Sequence, residues 1–309
     1  MKFNKIIAIG DLHGDFQVFK KVLSMCKLID VSGDWTGGDT HVIQVGDTLD
    51  GKRPGVKQKL DPNFLNESGE IEIMKYLLKL DCQAKTSNGR VISLLGNHEL
   101  YPYYLQNDEN FMKDYVKTKD IKQFKKIYNT SRIKFLSPGG LGGSLFGRTR
   151  PLMLQLGEFI FVHGSITDKL INSSLNKSGK VDIDKINTET SLWLQGKGSV
   201  PVYLQEMGDD NPVFSRLYSK DKDFTPSECE KIKNQLSLFN NAKYVVMGHS
   251  RYKEINITCN KMLIRTDVSL SRAFGGNLSS KNYQALEISQ FSDKDPELNI
   301  ITPTGRVPI

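Results

Sequence analysis

The sequence predicts an α/β fold built around a parallel sheet. Three short apolar segments rich in β-branched residues, each running into Gly-Asp or Gly-Asn, occupy 5–11, 41–47 and 90–99. Amphipathic helical patterns fill the intervals between them, at 16–26 and 70–84. Strands that alternate with helices in this way pair in parallel through right-handed crossovers. The polar ends of these strands therefore share one edge of the sheet, where such folds bind ligands.

Apolar runs later in the chain predict further strands. Residues 158–165 end in His-Gly-Ser, and residues 242–250 end in Gly-His-Ser. Each of these two runs places a histidine just past the end of a strand. The stretches 254–269 and 283–289 predict a closing antiparallel group.

No linker, internal repeat or low-complexity tract interrupts the sequence, so we expect a single domain spanning 1–309. Helical insertions are expected at about 101–135 and 166–240, and a long loop at 49–69. The glycine-rich segment 137–147 has no recognisable helix start after it, so we expect a flexible turn region there.

Composition and charge narrow the class of protein. The chain is 38% hydrophobic and 25% charged, which is typical of a globular protein in water. The net charge of +7 favours anionic partners. However, the Lys-rich stretch 117–126 alternates with acidic and apolar residues, which predicts a solvated helix face. We therefore do not expect nucleic acid as a partner.

Features that direct a chain to a membrane or out of the cell are not expected here. No apolar run approaches the roughly 20 residues of a membrane span, and the apolar stretch near the first residue is too short for a signal peptide. The four cysteines lack C-x-x-C spacing, which indicates reduced thiols. They are Cys26, Cys82, Cys229 and Cys259. We therefore expect a monomeric cytoplasmic protein with no membrane partner.

Potential metal ligands follow all five of these apolar strands. Aspartate, histidine and asparagine stand beside glycine at the strand ends, which lets the backbone approach an ion closely. Oxygen and imidazole donors without a thiolate suit Mn, Fe, Zn or Co better than a Mg or Ca cage. The six side chains are Asp11, His13, Asp47, Asn97, His163 and His249.

Six ligands are too many for one tetrahedral ion, so we expect two divalent ions that share a bridging ligand. One ion is expected to bind Asp11, His13 and Asp47. The other is expected to bind Asp47, Asn97, His163 and His249. Two ions about 3.5–4 Å apart generate hydroxide near neutral pH and clamp an in-line displacement at phosphorus.

The motifs "GDLHGD", "GDTLD", "GNHE", "VHGS" and "GHS", in this order, resemble those of the calcineurin-like metallophosphoesterases. More narrowly, they resemble the phosphoprotein phosphatase superfamily and its Shewanella-like protein phosphatases. The fragments at 211–219 ("NPVFSRLYS") and 264–276 ("IRTDVSLSRAFGG") support this. The resemblance implies an α/β/β/α sandwich, with central mixed β-sheets flanked by helices and a dimetal site at the carboxyl ends of the strands.

The resemblance also implies roles for individual residues. The same six side chains are implied as ligands, with Mn²⁺ first and Fe, Zn or Co as alternatives. His98 is implied as the general acid that protonates the leaving oxygen, and Asp50 as the carboxylate that orients and charges it. Glu99 is expected to fix the local loop by hydrogen bonding, and Asp267 to support the site.

The sequence departs from the family pattern after the second strand. The usual Gly-Asp-x-x-Asp-Arg-Gly is "GDTLDGKRP" here, so Gly51 stands where an arginine would grip the substrate phosphate. Our hypothesis is that Arg53 and Arg216 form the clamp together with Asn97, because Lys52 lacks the planar fork of an arginine. Other candidates are Arg148, Arg150, Arg251 and Arg265.

These motifs predict hydrolysis of phosphomonoesters by a metal-bridging hydroxide. A phosphatase acting on phosphorylated Ser, Thr or Tyr of a protein, or on a small phosphate ester, is the leading hypothesis. The alternative is a symmetrical dinucleoside polyphosphate hydrolase, and a phosphodiesterase or nuclease ranks third. A non-catalytic scaffold predicts lost ligands, and none of the six is lost.

Overall fold

The computed structural model describes residues 4–56, 60–106, 108–220, 223–279, 281–290 and 295–309, and in these ranges the strands form two mixed sheets. The first contains β1 (Lys5–Ile9), β2 (His41–Gln44), β3 (Arg90–Ser93), β9 (Ala285–Ser289), β10 (Glu297–Thr302) and β11 (Gly305–Pro308). The second contains β4 (Met153–Leu156), β5 (Phe159–Val162), β6 (Tyr244–Met247), β7 (Asn256–Thr258) and β8 (Leu263–Arg265). The strand orders are β11-β10-β9-β1-β2-β3 and β4-β5-β6-β8-β7.

The first sheet has a parallel half and an antiparallel half. β1, β2 and β3 pair in parallel, with Val42 of β2 opposite Ile7 of β1 and Val91 of β3. β9 pairs antiparallel with β1, and β10 with β9. The predicted parallel order of the first three strands is confirmed.

The second sheet places the two later histidine-bearing strands side by side. β5, β6 and β8 run parallel, and β4 and β7 are antiparallel edge strands. The strands predicted at 158–165 and 242–250 are β5 and β6. The predicted closing group is divided, because β7 and β8 pair in this sheet and β9 joins the first. Apolar periodicity does not predict β4, β10 or β11, since short and partly polar strands carry little of it.

Helices flank both sheets. Those in the first half of the chain are α1 (Phe16–Met25), α2 (Pro62–Asn66), α3 (Glu70–Lys85), α4 (Asn97–Tyr104), α5 (Glu109–Tyr115), α6 (Thr118–Tyr128), α7 (Arg132–Leu136) and α8 (Leu141–Thr149). The later ones are α9 (Asp168–Ser174), α10 (Ile183–Leu194) and α11 (Pro226–Ser237), with short 3-10 turns at Val202–Leu204 and Arg272–Phe274. The regions predicted as helical insertions therefore contain α4–α7 and α9–α11.

Alternating side chains pack the two sheets against each other. Phe161 of β5 shares one buried cluster with Ile7 of β1 and Phe19 of α1. The next residue, Val162, points the other way and joins a second cluster with Leu194 of α10. The layers are therefore helix, sheet, sheet, helix, and the predicted α/β/β/α sandwich is confirmed.

The glycine-rich segment forms a helix, and the predicted flexible turn region is wrong. Residues 141–149 are α8, which packs closely on α7. A Cβ at Gly142 would lie 2.4 Å from the ring of Phe135, and one at Gly143 would lie 2.2 Å from the carbonyl oxygen of Ser137. These glycines allow close helix contact. The expected loop at 49–69 contains the short helix α2, and its residues 57–59 lie outside the described ranges.

The expectation that all four cysteines are reduced is wrong for one pair. Cys229 of α11 and Cys259, after β7, form a disulfide, whereas Cys26 and Cys82 carry free thiols. A separation of 30 residues gives no recognisable spacing, and only the fold brings the two Cα atoms to 5.2 Å. Cysteine usage therefore gives no support to the predicted cytoplasmic location. None of the described helices combines the length and apolar character that a membrane span requires.

Reduction of the Cys229–Cys259 disulfide is expected to lower the free energy of unfolding by about 2–4 kcal/mol, because it releases a constraint on the unfolded chain. Urea unfolding with and without reductant measures this. A Cys82→Ser variant, which removes an exposed free thiol, is expected to show the same sensitivity to reductant as the wild type. Four reactive thiols in the unreduced, unfolded chain would contradict the disulfide.

Candidate active site

The polar residues at the strand ends meet on one edge that spans both sheets. Asp11 follows β1, Asp47 follows β2 and Asn97 begins α4 just beyond β3. His163 and His249 follow β5 and β6 in the second sheet. The site therefore depends on the packing of one sheet against the other.

The backbone is strained at this edge. Four non-glycine residues adopt a left-handed conformation, which costs on the order of 1–3 kcal/mol each when nothing compensates. They are His13 (φ 42°), Asp47 (φ 54°), Asp50 (φ 65°) and His249 (φ 65°). Such strain is concentrated at functional sites, where the surrounding structure holds it.

The Asp47 carboxylate is the centre of the site. Its Oδ1 lies 3.3 Å from Nε2 of His163. Its Oδ2 lies 3.8 Å from Nε2 of His13 and 3.8 Å from Nε2 of His98. Two groups of side chains could each hold a metal ion, one made of Asp47, His13 and His98 and the other of Asp47, His163 and His249. Asp47 belongs to both groups.

The Asn97 amide completes the second group. Its Oδ1 lies 3.0 Å from Nε2 of His163 and 2.9 Å from Nδ1 of His249. Nδ1 of His163 lies 2.8 Å from the carbonyl oxygen of Val45. A hydrogen bond to that carbonyl leaves Nε2 as the acceptor nitrogen, which is the form that binds a metal.

Asp11 lies among buried acidic groups. Its carboxylate accepts the backbone N–H of His249 at 3.2 Å and lies 3.7 Å from Nε2 of His13. Burial, and then the nearby carboxylates of Asp267 and Asp47, raise the pKa of Asp11 well above its ordinary value. Oδ2 of Asp267 is buried and has no hydrogen-bond partner among the described residues. Burial and neighbouring cationic groups lower the pKa of His13 and His249, which favours neutral imidazoles. This donor set fits divalent cations.

A second buried pair joins His98 and Asp50. Nδ1 of His98 lies 2.7 Å from Oδ2 of Asp50. Oδ1 of the same carboxylate accepts a hydrogen bond from Arg132 at 2.7 Å. Nε2 of His98 faces the cavity, 3.5 Å from Nη2 of Arg53. No sequence motif marks Arg132, because its partner lies 82 residues away along the chain.

Glu99 binds the loop backbone as expected. Its carboxylate accepts the backbone N–H groups of Asp47, Thr48 and Gly96 at 2.8–2.9 Å. At Gly96 a Cβ would lie 2.2 Å from Oδ1 of Asp47, so only glycine fits. Together these contacts hold the end of β2 against the start of α4.

Three arginines line the cavity of about 790 Å³ above these residues, namely Arg53, Arg216 and Arg251. Arg53 donates to the carbonyl oxygens of Asp50 and Lys52 and also contacts His13. The other candidate arginines lie elsewhere. Arg150 pairs with Glu99, Arg265 binds Tyr252, and Arg148 lines a separate surface pocket.

The structure explains why no arginine stands at position 51. A Cβ on Gly51 would lie 2.8 Å from Cε of Lys117, whose ammonium donates to the carbonyl oxygens of Gly14 and Phe64. Lys117 is only 1% exposed, so the prediction of a solvated face over 117–126 is wrong for this residue. Arg53, two residues further on, reaches the cavity instead.

Residues 4–251 match the model of the calcineurin-like phosphoesterase family. The chain belongs to this family. It is 28% identical to Shewanella-like protein phosphatase 2 of Arabidopsis thaliana, over 97% of this chain and 78% of the relative. It is 30% identical to Shewanella-like protein phosphatase 1 of Plasmodium berghei, over 89% of this chain and 70% of the relative. The resemblance inferred from the motifs is confirmed.

A comparison with solved structures finds the same fold. The crystal structure of a cold-active protein-tyrosine phosphatase of a psychrophilic Shewanella species superposes with a TM-score of 0.71 at 20% identity, covering 99% of this chain and 80% of that one. This likeness shows the fold. As a calcineurin-like phosphoesterase the protein is a phosphoester hydrolase, and its His and Asp groups can bind the divalent metal ions that the family uses.

Proposed function

We propose that this phosphoester hydrolase is a protein phosphatase with a pair of divalent ions, Mn²⁺ foremost. The observation that carries the proposal is the position of the buried Asp47 carboxylate between two groups of imidazoles. One ion would be held by Asp11, His13 and Asp47. The other would be held by Asp47, Asn97, His163 and His249. Two such ions, when bound, lower the pKa of water and offset the charge of a phosphoryl group.

His98 supplies the proton for the leaving oxygen in this proposal. The Asp50 carboxylate binds Nδ1 of His98 at 2.7 Å and fixes the orientation of the ring. Nε2 then faces the cavity and can donate to the oxygen that departs from phosphorus. The position of His98 beside Asp47 also suits a metal ligand, so metal content must be measured to separate the two roles.

Arg53 and Arg216 bind the phosphate oxygens, with the amide of Asn97 as a third donor. Both guanidinium groups line the cavity, and charge-assisted hydrogen bonds from arginine to phosphate are strong. Arg216 is held by Ser250 at 3.3 Å. This assignment keeps the clamp although the family arginine is missing at position 51.

The cavity wall favours an aromatic phosphate ester. Tyr101, Tyr115 and Phe274 line it, and Tyr115 stacks on Phe111. Aromatic side chains contact a phenyl ring favourably. The Shewanella protein of similar fold is named a protein-tyrosine phosphatase. We infer that phosphotyrosine is preferred over phosphoserine.

A substrate panel with Mn²⁺ tests the function. We expect the highest kcat/KM for a phosphotyrosyl peptide, a lower value for a phosphoseryl peptide, and little turnover of diadenosine tetraphosphate or bis(p-nitrophenyl) phosphate. Initial rates of phosphate or product release measure all four. Fast turnover of the dinucleotide alone would contradict the proposal and identify a dinucleoside polyphosphate hydrolase.

Two substitutions separate metal binding from proton transfer. Asp47→Asn is expected to lose both bound metal and turnover, because it weakens both ion sites. His98→Asn is expected to keep two metal ions per chain while kcat falls by about 10²- to 10⁴-fold, the usual contribution of a general acid. Elemental analysis of the purified variants measures the metals. An empty site in His98→Asn would show that His98 is a ligand.

Removal of either clamp arginine is expected to lower kcat/KM by about 10- to 100-fold, the effect of losing one hydrogen bond to a charged group. Arg53→Ala and Arg216→Ala test this with a phosphotyrosyl peptide. Arg148→Ala, on the surface outside the cavity, is the matched control and should leave the rate unchanged. Wild-type rates in both cavity variants would eliminate the clamp.

A further inference from the structure

We propose that Arg132 and Glu70 are positioning residues for proton donation by His98, acting through Asp50. The inference rests on the proposed function, in which His98 protonates the leaving oxygen. Neither residue lines the cavity. Both lie behind the site, at the first positions of α7 and α3.

The contacts form one continuous buried network. Nε and Nη2 of Arg132 donate to the two carboxylate oxygens of Glu70 at 2.6 and 2.9 Å. Nη2 of Arg132 also donates to Oδ1 of Asp50 at 2.7 Å. Oε1 of Glu70 accepts the backbone N–H of Asp50 at 2.9 Å. Oδ2 of Asp50 is then left to face His98.

This arrangement fixes both the main chain and the side chain of Asp50. Asp50 has a φ of 65°, a conformation that a non-glycine residue keeps only when its surroundings hold it. Glu70 binds its backbone, and Arg132 binds its carboxylate. The one oxygen that is not bound by Arg132 is therefore directed at Nδ1 of His98, which sets the orientation of the imidazole.

The charges suit a supporting role. Burial alone lowers the pKa of Arg132, but the carboxylates of Glu70 and Asp50 raise it above its ordinary value, so the guanidinium stays charged. Burial raises the pKa of Glu70 to about 7, and the charged guanidinium of Arg132 opposes that rise. The guanidinium lies between the buried carboxylates of Glu70 and Asp50 and holds both in place behind His98.

The helical region 101–135 therefore contributes to the chemistry from behind the site. The same region brings Arg132 to Asp50, and it also contains Lys117 and Asp120. Oδ1 of Asp120 accepts the backbone N–H groups of Gly69 and Glu70 at 2.8 and 3.2 Å, which fixes the start of α3. The network is thus anchored on two elements outside the sheets.

Dependence on the leaving group tests the inference. Phenyl phosphate releases a phenolate whose conjugate acid has a pKa of about 10, close to that of tyrosine, and so needs protonation. p-Nitrophenyl phosphate releases a much weaker base and needs it far less. For Arg132→Lys we expect kcat/KM to fall about 10- to 100-fold for phenyl phosphate and less than about threefold for p-nitrophenyl phosphate.

Two further variants distinguish a selective loss of proton donation from a general loss of folding. Glu70→Gln, which keeps the shape of the side chain but replaces one of its two acceptor oxygens with a donor amide, should show the same selective loss. Lys134→Met, an exposed residue on the same helix as Arg132, is the control and should change neither rate. Thermal unfolding of each variant shows that the fold is retained.

A double-mutant cycle identifies the route of the effect. If Arg132 acts through His98, then Arg132→Lys added to His98→Asn should lower kcat/KM for phenyl phosphate by no more than about twofold. Equal losses for both esters, or fully additive losses in the double variant, would overturn the inference. A wild-type protein that hydrolyses neither ester would instead overturn the proposed function, and the inference with it.

Discussion

The carboxylate of Asp47 is the group that the rest of the structure has to hold in place. It is buried between imidazoles that come from both sheets, and its backbone is left-handed. Three features keep it there. Glu99 binds the backbone N–H groups around it, Gly96 leaves room for its oxygen, and the register of β5 and β6 brings His163 and His249 opposite it. A buried anion of this kind is stable only when positive charge or hydrogen bonds compensate it.

The segment between β3 and β4 also supports the site, through contacts with the residues that follow β2. Lys117 fills the space beside Gly51, where a Cβ would lie 2.8 Å from its Cε, and Arg53 lines the cavity. Arg132 reaches the far side of Asp50. A part of the chain distant from the strand-end motif therefore packs around Gly51 and Asp50.

Sequence patterns predict the strand ends well, because a ligand beside glycine after an apolar run is a local signal. The structure brings those residues together, although their roles stay predictions. Non-local features could not be predicted. Arg132 and the Cys229–Cys259 disulfide depend on contacts between distant segments. The helix at 141–149 depends on close packing against α7, whereas its glycine-rich composition alone predicts a flexible segment.

Anomalous diffraction from crystals grown with Mn²⁺ tests whether Asp47 joins two metal ions. We expect two manganese peaks, both within bonding distance of the Asp47 carboxylate, with His13 beside one and His163 and His249 beside the other. A single peak, or two peaks of which only one contacts Asp47, would contradict the shared bridge on which the proposed chemistry depends.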